Sequence, residues 1–530
     1  MKSLSSTRLI IAASAFLVVF GNVAFFSNVT DVYPVSIHNS GFLISLAVLL
    51  GCATSLLLAL SCYRYTLKPV LIALLVASSV TGYFMDTYNV VIDDVMIGNI
   101  LATNTAEASD LLSLRLVLYL LLLGILPSVL VCKTRIDYGQ LRQAITSRLV
   151  LIVATLALAI ATVLIFSNFY ASFFREHKPL RYYANPVYYI YSTARYAGSF
   201  ITLAPTEFTA IAQDARIPAS DVHRELVILV VGETARADHF SLNGYTRETN
   251  PYLKNKNVIS FTNFWSCGTS TAHSLPCLFS IYDHTQFDKT TVDNTGNVLD
   301  VLQHAGVNVL WLDNNSDSKG VALRVPFEDY RTPEKNPVCD TECRDEGMLE
   351  NLQAYIDAHP TGDIFIVLHQ MGNHGPAYYK RYPVNFEVFK PACQTNQLEN
   401  CSSEEINNAY DNAILYTDYF LSKTIELLAH HNEKFESALI YVSDHGESLG
   451  ENGIYLHGLP YMIAPDNQKH VPFIMWLNDN LLHDINLESL QKSRHEQFSH
   501  DNIFHTLLSL MEVYTSAYDK KMDLIQHTND

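Results

Sequence analysis

The fold of the second half of the chain is indicated by the run LVILVV at residues 226–231, which is followed at once by Gly232-Glu233-Thr234. Such a run is too short to cross a bilayer, which takes about 20 apolar residues. A short apolar run bounded by glycine or polar residues is typical of a strand buried on both faces of a parallel sheet. We therefore expect a buried strand here, with Glu233 just beyond its carboxyl end.

Further runs of the same kind follow along the chain, and helical stretches separate several of them. The runs lie at 307–311, 364–368, 438–442 and 472–476. One helix is expected over about 404–430, where Ser402 and Glu405 have the spacing of a capping box, and another over about 502–513. Strands that alternate with helices predict a doubly wound α/β domain with a mostly parallel central sheet.

Polar side chains are concentrated directly after these runs, where a parallel sheet binds its ligands. Residues 232–234 follow the first run, 313–319 the second, 369–374 the third and 443–447 the fourth. Carboxylate and imidazole donors together suit zinc. Glu233, Asp444 and His445 would supply three donors and leave a position for a hydroxyl, whose pKa a metal lowers.

The hydroxyl group is expected in the stretch Cys267-Gly268-Thr269-Ser270-Thr271, which precedes a helix start. Backbone N–H groups at a helix N-terminus hold phosphate oxygens well. The residues alone do not choose among Thr269, Ser270 and Thr271, and Thr234 is a fourth candidate.

The first third of the chain is predicted to span a membrane. Five apolar segments are expected to cross it, at 9–26, 42–61, 70–84, 116–131 and 149–166. Lysines and arginines alternate between the ends of successive segments, which places the N-terminus in the cytoplasm and everything after residue 166 outside. The A-x-A sequence at 13–15 lies inside the first apolar segment, so we expect no cleaved signal peptide.

Cysteine usage and charge agree with that orientation. Six cysteines form short-range pairs, Cys267 with Cys277, Cys339 with Cys343, and Cys393 with Cys401, which indicates disulfides and an oxidising compartment. The formal net charge of -18 excludes nucleic acid as a natural partner.

The predicted organisation is a transmembrane domain over 1–169, an interfacial linker over 170–220 and an outer domain over 221–530. The linker is rich in tyrosine and basic residues, which favour the headgroup level of a bilayer. In the loop after the third span, Asn99, Thr103 and Glu107 recur at i, i+4 and i+8 and would share one face of a helix.

These motifs resemble those of the bacterial lipid A phosphoethanolamine transferases, a family that includes the colistin-resistance enzymes, and the likeness covers nearly the whole chain. The motifs are Gly232-Glu233-Thr234-Ala235-Arg236-Ala237-Asp238-His239, Ser266-Cys267-Gly268-Thr269-Ser270-Thr271, Ser316-Asp317-Ser318-Lys319, Gly372-Asn373-His374-Gly375-Pro376, Ser443-Asp444-His445-Gly446-Glu447-Ser448 and Leu456-His457-Gly458. The resemblance implies five membrane helices and an outer domain like that of alkaline phosphatases and sulfatases.

The resemblance also assigns roles to individual residues. Thr271 is implied to be the nucleophile. The implied ligands of a firmly bound zinc ion are Glu233, Thr271, Asp444 and His445. Lys319, His374 and His457 are implied to contact the phosphate group, or a second zinc. Asn99, Thr103 and Glu107 match residues implicated in binding the lipid substrate.

The implied reaction moves phosphoethanolamine from phosphatidylethanolamine to Thr271 and then to a phosphate of lipid A in lipopolysaccharide. A monomer in the bacterial inner membrane is expected to catalyse it and to lower susceptibility to cationic peptides and polymyxins. The alternatives are transfer of phosphoethanolamine or phosphoglycerol to another envelope acceptor, a sulfatase-like hydrolase, and a non-catalytic metal-binding sensor. No cysteine begins the C-x-P-x-R pattern that a sulfatase needs.

Overall fold

The computed structural model describes residues 3–103, 105–201, 207–525 and 527. The chain divides into two compact units. The first contains Met1–Ile100 and Leu112–Ile201, and the second contains Leu101–Leu111 and Thr202–Asp530.

The first unit is helical, because its sequence consists mostly of long apolar runs that satisfy their backbone groups within a helix. Its helices, together with the short helix that belongs to the second unit, are α1 (Ser6–Phe20), α2 (Val23–Val32), α3 (Ile37–Ser61), α4 (Leu67–Tyr88), α5 (Asp94–Ala102), α6 (Thr105–Asp110), α7 (Leu114–Tyr119), α8 (Leu126–Lys133), α9 (Leu141–Ile165), α10 (Ser167–Glu176) and α11 (Val187–Ile201). A π-helical turn at Leu120–Ile125 joins α7 to α8. Two short parallel strands, β1 (Leu4–Ser5) and β2 (Ile136–Asp137), pair with each other.

The predicted membrane helices are present, with one difference in shape. Four continuous apolar stretches are long enough to span a bilayer: Ile37–Ser61, Leu67–Tyr88, Leu114–Lys133 and Leu141–Ile165. The first predicted span is instead the pair α1 and α2, which bends by 57°. The bend follows Gly21, where a side chain would meet the carbonyl oxygen of Leu17 at 2.8 Å. The predicted third span, 70–84, is the inner part of the longer helix α4.

Two features of the first third of the chain differ in detail from the prediction. Helices α10 and α11 lie within the stretch expected to be a linker, so much of that stretch is regular structure. Helix α5 carries Asn99 but ends at Ala102, so Thr103 lies outside it and the expected continuous helical face is interrupted. The side chain of Glu107 lies outside the described residues.

The second unit is built on an eight-stranded sheet. The strands are β3 (Glu225–Gly232), β4 (Ile259–Trp265), β5 (Asn308–Asp313), β6 (Phe327–Asp329), β7 (Ile364–His369), β8 (Glu436–Ser443), β11 (His470–Leu477) and β12 (Phe498–Ser499), and a separate hairpin is formed by β9 (Ser448–Leu449) and β10 (Tyr455–Leu456). The strands follow the order β12-β4-β11-β8-β3-β7-β5-β6 in the sheet, and the five from β8 to β6 are parallel to one another.

The mostly parallel sheet confirms the predicted fold class, and one strand corrects it in detail. The run at 472–476 was expected to join a parallel sheet, but β11 is antiparallel to both β8 and β4. A run of apolar residues shows that a strand is buried without showing its direction, because both directions bury the same side chains.

Alternate side chains of β3 enter two different hydrophobic clusters, which is the signature of a sheet covered on both faces. Val227, Leu229 and Val231 pack in one cluster, and Leu226, Ile228 and Val230 pack in the other. The helices that cover the sheet and its edges are α12 (Thr271–Leu278), α13 (Lys289–Asp293), α14 (Val298–Ala305), α15 (Leu352–Ala358), α16 (Ser403–Ala429), α17 (Leu487–Ser493) and α18 (Ile503–Leu510).

Helix α16 and the disulfides confirm predictions made from short-range patterns. The Ser402 side chain accepts a hydrogen bond from the backbone N–H of Glu405, whose side chain reaches back to Ser402 N, so the capping box is formed. The bonded cysteine pairs are Cys267–Cys277, Cys339–Cys343 and Cys393–Cys401.

Candidate active site and metal centre

The centre of the site is assembled by two neighbouring strands. Gly232 at the end of β3 pairs in register with Ser443 at the end of β8, and the two strands are parallel. The next residues, Glu233 and Asp444, therefore leave the sheet side by side although they are far apart in the sequence. His445 follows directly, and all three side chains are fully buried.

The donor atoms of these residues converge. His445 Nε2 lies 3.4 Å from Glu233 Oε1 and 3.4 Å from Asp444 Oδ2. One donor atom from each residue lies within 4.8 Å of the other two, as in a metal-binding cluster. Asp444 Oδ2 receives no hydrogen bond from the described residues, although it is buried. A buried carboxylate oxygen without a donor is costly unless a cation faces it, so the residues fit a bound metal ion.

Thr271 is the hydroxyl residue that reaches this cluster from the turn at 267–271. Its Oγ1 donates a hydrogen bond to Glu233 Oε2 at 3.1 Å and lies 3.4 Å from His445 Nε2. Thr269 instead donates to the carbonyl of Leu459 at 2.7 Å, and the buried Ser270 hydroxyl has no hydrogen-bond partner in the described residues. Thr234 donates to the other oxygen of Glu233 at 2.6 Å. The tertiary structure thus separates four candidates that the residues left open.

The conformation of the turn that presents Thr271 is fixed by a disulfide and by close packing at Gly268. Thr271 is the first residue of α12, and the Cys267–Cys277 disulfide joins the turn to the end of that helix. A Cβ atom at Gly268 would lie 2.6 Å from His273 and 2.7 Å from Ser274 Oγ, so only glycine fits there. Backbone N–H groups at the start of a helix are suited to phosphoryl oxygens.

Two more histidines adjoin the cluster. The ring of His457 lies 4.3 Å from that of His445, and the ring of His374 lies 6.1 Å from that of His457, measured between centroids. His457 Nδ1 is 2.9 Å from Glu447 Oε2, whose other oxygen accepts a hydrogen bond from the Tyr378 hydroxyl.

The remaining predicted residues are not shown in contact with the cluster. Lys319 lies on the loop after β5, has a φ angle of +50°, and donates from Nζ to the carbonyl of Ser316 at 2.6 Å. Asn99 belongs to the first unit, whereas Thr103 falls in the segment Leu101–Leu111 of the second.

Sequence reasoning missed several residues that hold the ligands in place. Asn315 donates to Glu233 Oε2 at 2.7 Å and to the carbonyl of Gln370 at 2.8 Å. It lies in the polar stretch 313–319, so its position after a strand was a usable signal. Arg381 donates to the carbonyl of His374 at 2.6 Å, and nothing in the local sequence marks that contact.

A buried Asp–His pair lies behind the site. His369 Nδ1 is 2.8 Å from Asp313 Oδ2, at the ends of the neighbouring strands β7 and β5. Trp311 Nε1 donates to the same oxygen at 3.0 Å. Burial opposes ionisation of Asp313, but the imidazole of His369 outweighs it and lowers the pKa of that carboxyl.

The electrostatics of the cluster favour positive charge between its carboxylates. Burial and the charge of Glu233 raise the pKa of Asp444 to about 6. Burial also opposes ionisation of Glu233, but the imidazoles of His445 and His374 outweigh it and lower its pKa. Burial lowers the pKa of His374 to about 3. Burial acts the same way on His457, but the carboxylate of Glu447 raises the pKa of that histidine to about 9.

Comparison with known proteins agrees with this geometry. The sequence model of the family described as phosphoethanolamine transferase EptA/EptB matches residues 50–199, and the sulfatase model matches residues 225–513. The chain is 45% identical over 525 residues to phosphatidylethanolamine transferase Mcr-1 of Escherichia coli, covering 97% of this chain and 96% of that one. It is 38% identical over 534 residues to phosphoethanolamine transferase EptA of Escherichia coli strain K12, covering 99% and 97%.

A solved structure matches both units of the chain. The integral membrane protein lipooligosaccharide phosphoethanolamine transferase A (EptA) from Neisseria meningitidis superposes with a TM-score of 0.95 at 34% identity, over 99% of each chain. With the apolar helices of the first unit, this match makes the chain a multi-pass inner-membrane protein whose catalytic domain lies in the periplasm. Full-length relatives, fold and active-site geometry agree, and the chain belongs to the EptA/EptB family of phosphoethanolamine transferases.

Proposed function

We propose that this chain transfers phosphoethanolamine from phosphatidylethanolamine to a phosphate group of lipid A, through a covalent intermediate on Thr271 and with zinc as the metal. The observation that carries the proposal is the position of Thr271 Oγ1, 3.1 Å from Glu233 and 3.4 Å from His445 at the start of a helix. The names of Mcr-1 and of the Neisseria meningitidis transferase support the donor lipid and a lipooligosaccharide-type acceptor.

The donor set supports zinc. Two carboxylates, one imidazole and one hydroxyl are mixed oxygen and nitrogen ligands, which zinc accepts in a four-coordinate shell. When bound, the metal lowers the pKa of the hydroxyl and offsets negative charge on the transferred group. Glu233, Thr271, Asp444 and His445 are the proposed ligands of one firmly bound ion. We assign His374 and His457 to the phosphate group or to a second ion.

The first displacement forms a bond between Thr271 Oγ and phosphorus and breaks the bond from phosphorus to the glycerol oxygen. Glu233 accepts the hydrogen bond of the threonine hydroxyl and so orients its oxygen. The hydroxyl proton, which a bound metal would make more acidic, passes to water as the bond to phosphorus forms. The N–H groups at the start of α12 stabilise charge on the phosphoryl oxygens. In the second displacement, an acceptor phosphate oxygen attacks the same phosphorus and Thr271 leaves.

The departing glycerol oxygen needs a proton, and His457 is the better-placed donor of the two histidines. Its Nδ1 faces the carboxylate of Glu447 at 2.9 Å, which stabilises the protonated ring and leaves Nε2–H for the leaving group. His374 Nδ1 is buried without a hydrogen-bond partner in the described residues, and Arg381 donates to its backbone carbonyl. Both features disfavour a charged His374.

Mass spectrometry of lipid A from cells that express the chain tests the proposal. We expect lipid A with added phosphoethanolamine, release of diacylglycerol, and reduced susceptibility to polymyxin. Unmodified lipid A with phosphoethanolamine on another envelope glycan or lipid would support the alternative acceptor. A phosphoglycerol adduct would overturn the proposed donor.

Metal removal tests the cofactor separately. Dialysis of the purified protein against a chelator should abolish transfer, and Zn²⁺ should restore it at about one ion per chain. Activity that survives complete removal of metal would contradict the zinc assignment while leaving the transfer reaction in place.

A further inference from the structure

Three carboxyl groups meet at the amino ends of β3 and β7, the edge of the sheet opposite to the active site. They belong to Asp221, Glu225 and Asp363, and one oxygen of each lies within 4.8 Å of the other two. Glu225 begins β3 and Asp363 directly precedes β7, its parallel neighbour. A strand advances about 3.3 Å per residue, so this cluster lies roughly 26 Å from Glu233 along β3.

Two of the three carboxyl groups are buried, and one of the two receives no hydrogen bond from the described residues. Glu225 is 1% exposed and Asp363 is 4% exposed. The Glu225 backbone N–H donates to Asp363 Oδ1 at 3.2 Å, which fixes the two residues against each other. Neither carboxylate oxygen of Glu225 has a hydrogen-bond partner in the part of the chain that the structure describes.

The charged groups around the cluster do not neutralise it. Arg224 attracts both Asp363 and Glu225, but its single positive charge faces three carboxylates. Its Nε and Nη2 donate to the carbonyls of Gly362 and His359. The carboxylates of Asp221 and Glu512 act on Glu225 with the same sign as Asp363. Glu436, at the start of the neighbouring strand β8, lies 2.9 Å from His223 Nδ1, which is a separate pair.

We propose that Asp221, Glu225 and Asp363 bind a structural Ca²⁺ ion. All the donors are oxygen, which hard cations prefer and which zinc does not require. Ca²⁺ takes oxygen ligands at about 2.3–2.6 Å in a flexible geometry, which three carboxylate oxygens within 4.8 Å of one another can supply, whereas Mg²⁺ demands a near-ideal octahedron. Asp221 precedes β3, so the ion joins the segment that leads into the domain to two central strands.

Calcium titration of the full-length protein in detergent tests the site. The protein is first dialysed against metal-free buffer, and CaCl₂ is then added alone in a calorimeter and in a thermal melt. We expect one saturable Ca²⁺ per chain and a rise in melting temperature. Glu225→Gln and Asp363→Asn should weaken Ca²⁺ binding at least about tenfold and lose the rise. Glu436→Gln, a buried carboxylate beside the cluster, should keep both.

Two results would overturn the site. One is a wild-type protein that does not bind Ca²⁺ and whose melting temperature does not rise when CaCl₂ is added. The other is Ca²⁺ binding that neither Glu225→Gln nor Asp221→Asn weakens. Because Asp221 is partly exposed, its variant remains informative even if the variants at the buried residues Glu225 and Asp363 misfold. Burial raises the pKa of Glu225 to about 10, so the competing occupant is a shared proton. In that case Glu225→Gln would melt at or above the wild-type temperature with or without calcium.

Discussion

Asp110 and Arg381 form a buried ion pair, with 2.9 Å between Oδ2 and Nη2. Arg381 in turn donates from Nε to the carbonyl oxygen of His374. Lys380 is also paired with Asp110, through Oδ1. Asp110 ends α6 in the segment Leu101–Leu111, which groups with the catalytic unit. The segment that contains Thr103 is therefore tied to the loop that positions His374.

We expect Asp110→Asn to lower kcat about tenfold, on the order of 1.4 kcal/mol in the barrier. The physical reason is that Arg381 loses a charged partner and holds the His374 backbone less firmly. Zinc content should not change, because Asp110 contacts none of the proposed ligands. The control is Asp357→Asn, an exposed aspartate on α15 that contacts Gln353. Unchanged kcat, or an equal loss in the control, would contradict the coupling.

Thr271→Ala should lower transfer by on the order of 10³-fold or more, because no other hydroxyl reaches both Glu233 and His445 in the described residues. Metal analysis should still find zinc, since Glu233, Asp444 and His445 remain. Ser270→Ala is the matched control, because that neighbouring hydroxyl has no hydrogen-bond partner in the same turn. Trapped phosphoethanolamine on any residue other than Thr271 would refute the assignment.

His457→Gln should slow transfer from phosphatidylethanolamine by about 10²–10⁴-fold, because the glycerol oxygen then leaves without a proton. The loss should be much smaller with a nitrophenyl ester of phosphoethanolamine, whose leaving group needs no proton. His374→Gln should lower both activities by similar factors. If the two substrates respond alike to His457→Gln, that histidine positions the phosphate and does not deliver the proton.

Asp418 predicts a pH-dependent contribution to stability away from the active site. Burial raises its pKa to about 7, against the hydrogen bond that Tyr252 N donates to Oδ2 at 2.7 Å. The folded state therefore binds more protons than the unfolded state, whose aspartates titrate near 3.9. Stability from this group is fully present below about pH 4 and is lost as the pH rises to about 7.

Asp418→Asn should remove that loss, because an amide stays neutral and still accepts from Tyr252. The variant should exceed wild type in free energy of unfolding by on the order of 1–3 kcal/mol at pH 8, and the gap should close toward pH 4. Thermal melts across this range measure it, with Asp357→Asn as the exposed comparison. A gap that does not vary with pH would show that Asp418 stays charged.

Much of the catalytic unit was predictable because its signals are local. A short apolar run such as 226–231, bounded by polar residues, is typical of a buried strand, and residues that follow parallel strands gather at one edge of the sheet. That rule was enough to predict that Glu233 and Asp444, which are far apart in the sequence, lie close together in the structure. The paired cysteines Cys267 and Cys277 were likewise close enough in the chain to be read as a bridge.

Other features depended on side-chain orientations, strand directions and long-range contacts, which no local sequence pattern encodes. Sequence composition alone could not choose Thr271 over its neighbours, because the choice depends on which hydroxyl points toward His445 once α12 begins. The antiparallel direction of β11 and the end of α5 at Ala102 depend on packing partners distant in the chain. The Asp110–Arg381 pair joins residues 271 positions apart. The sequence alone determined which chemical groups reach the edge of the sheet, because each apolar run forms its strand by its own burial. Only the tertiary structure decided which of these groups are in contact, because contact distances depend on the whole folded chain.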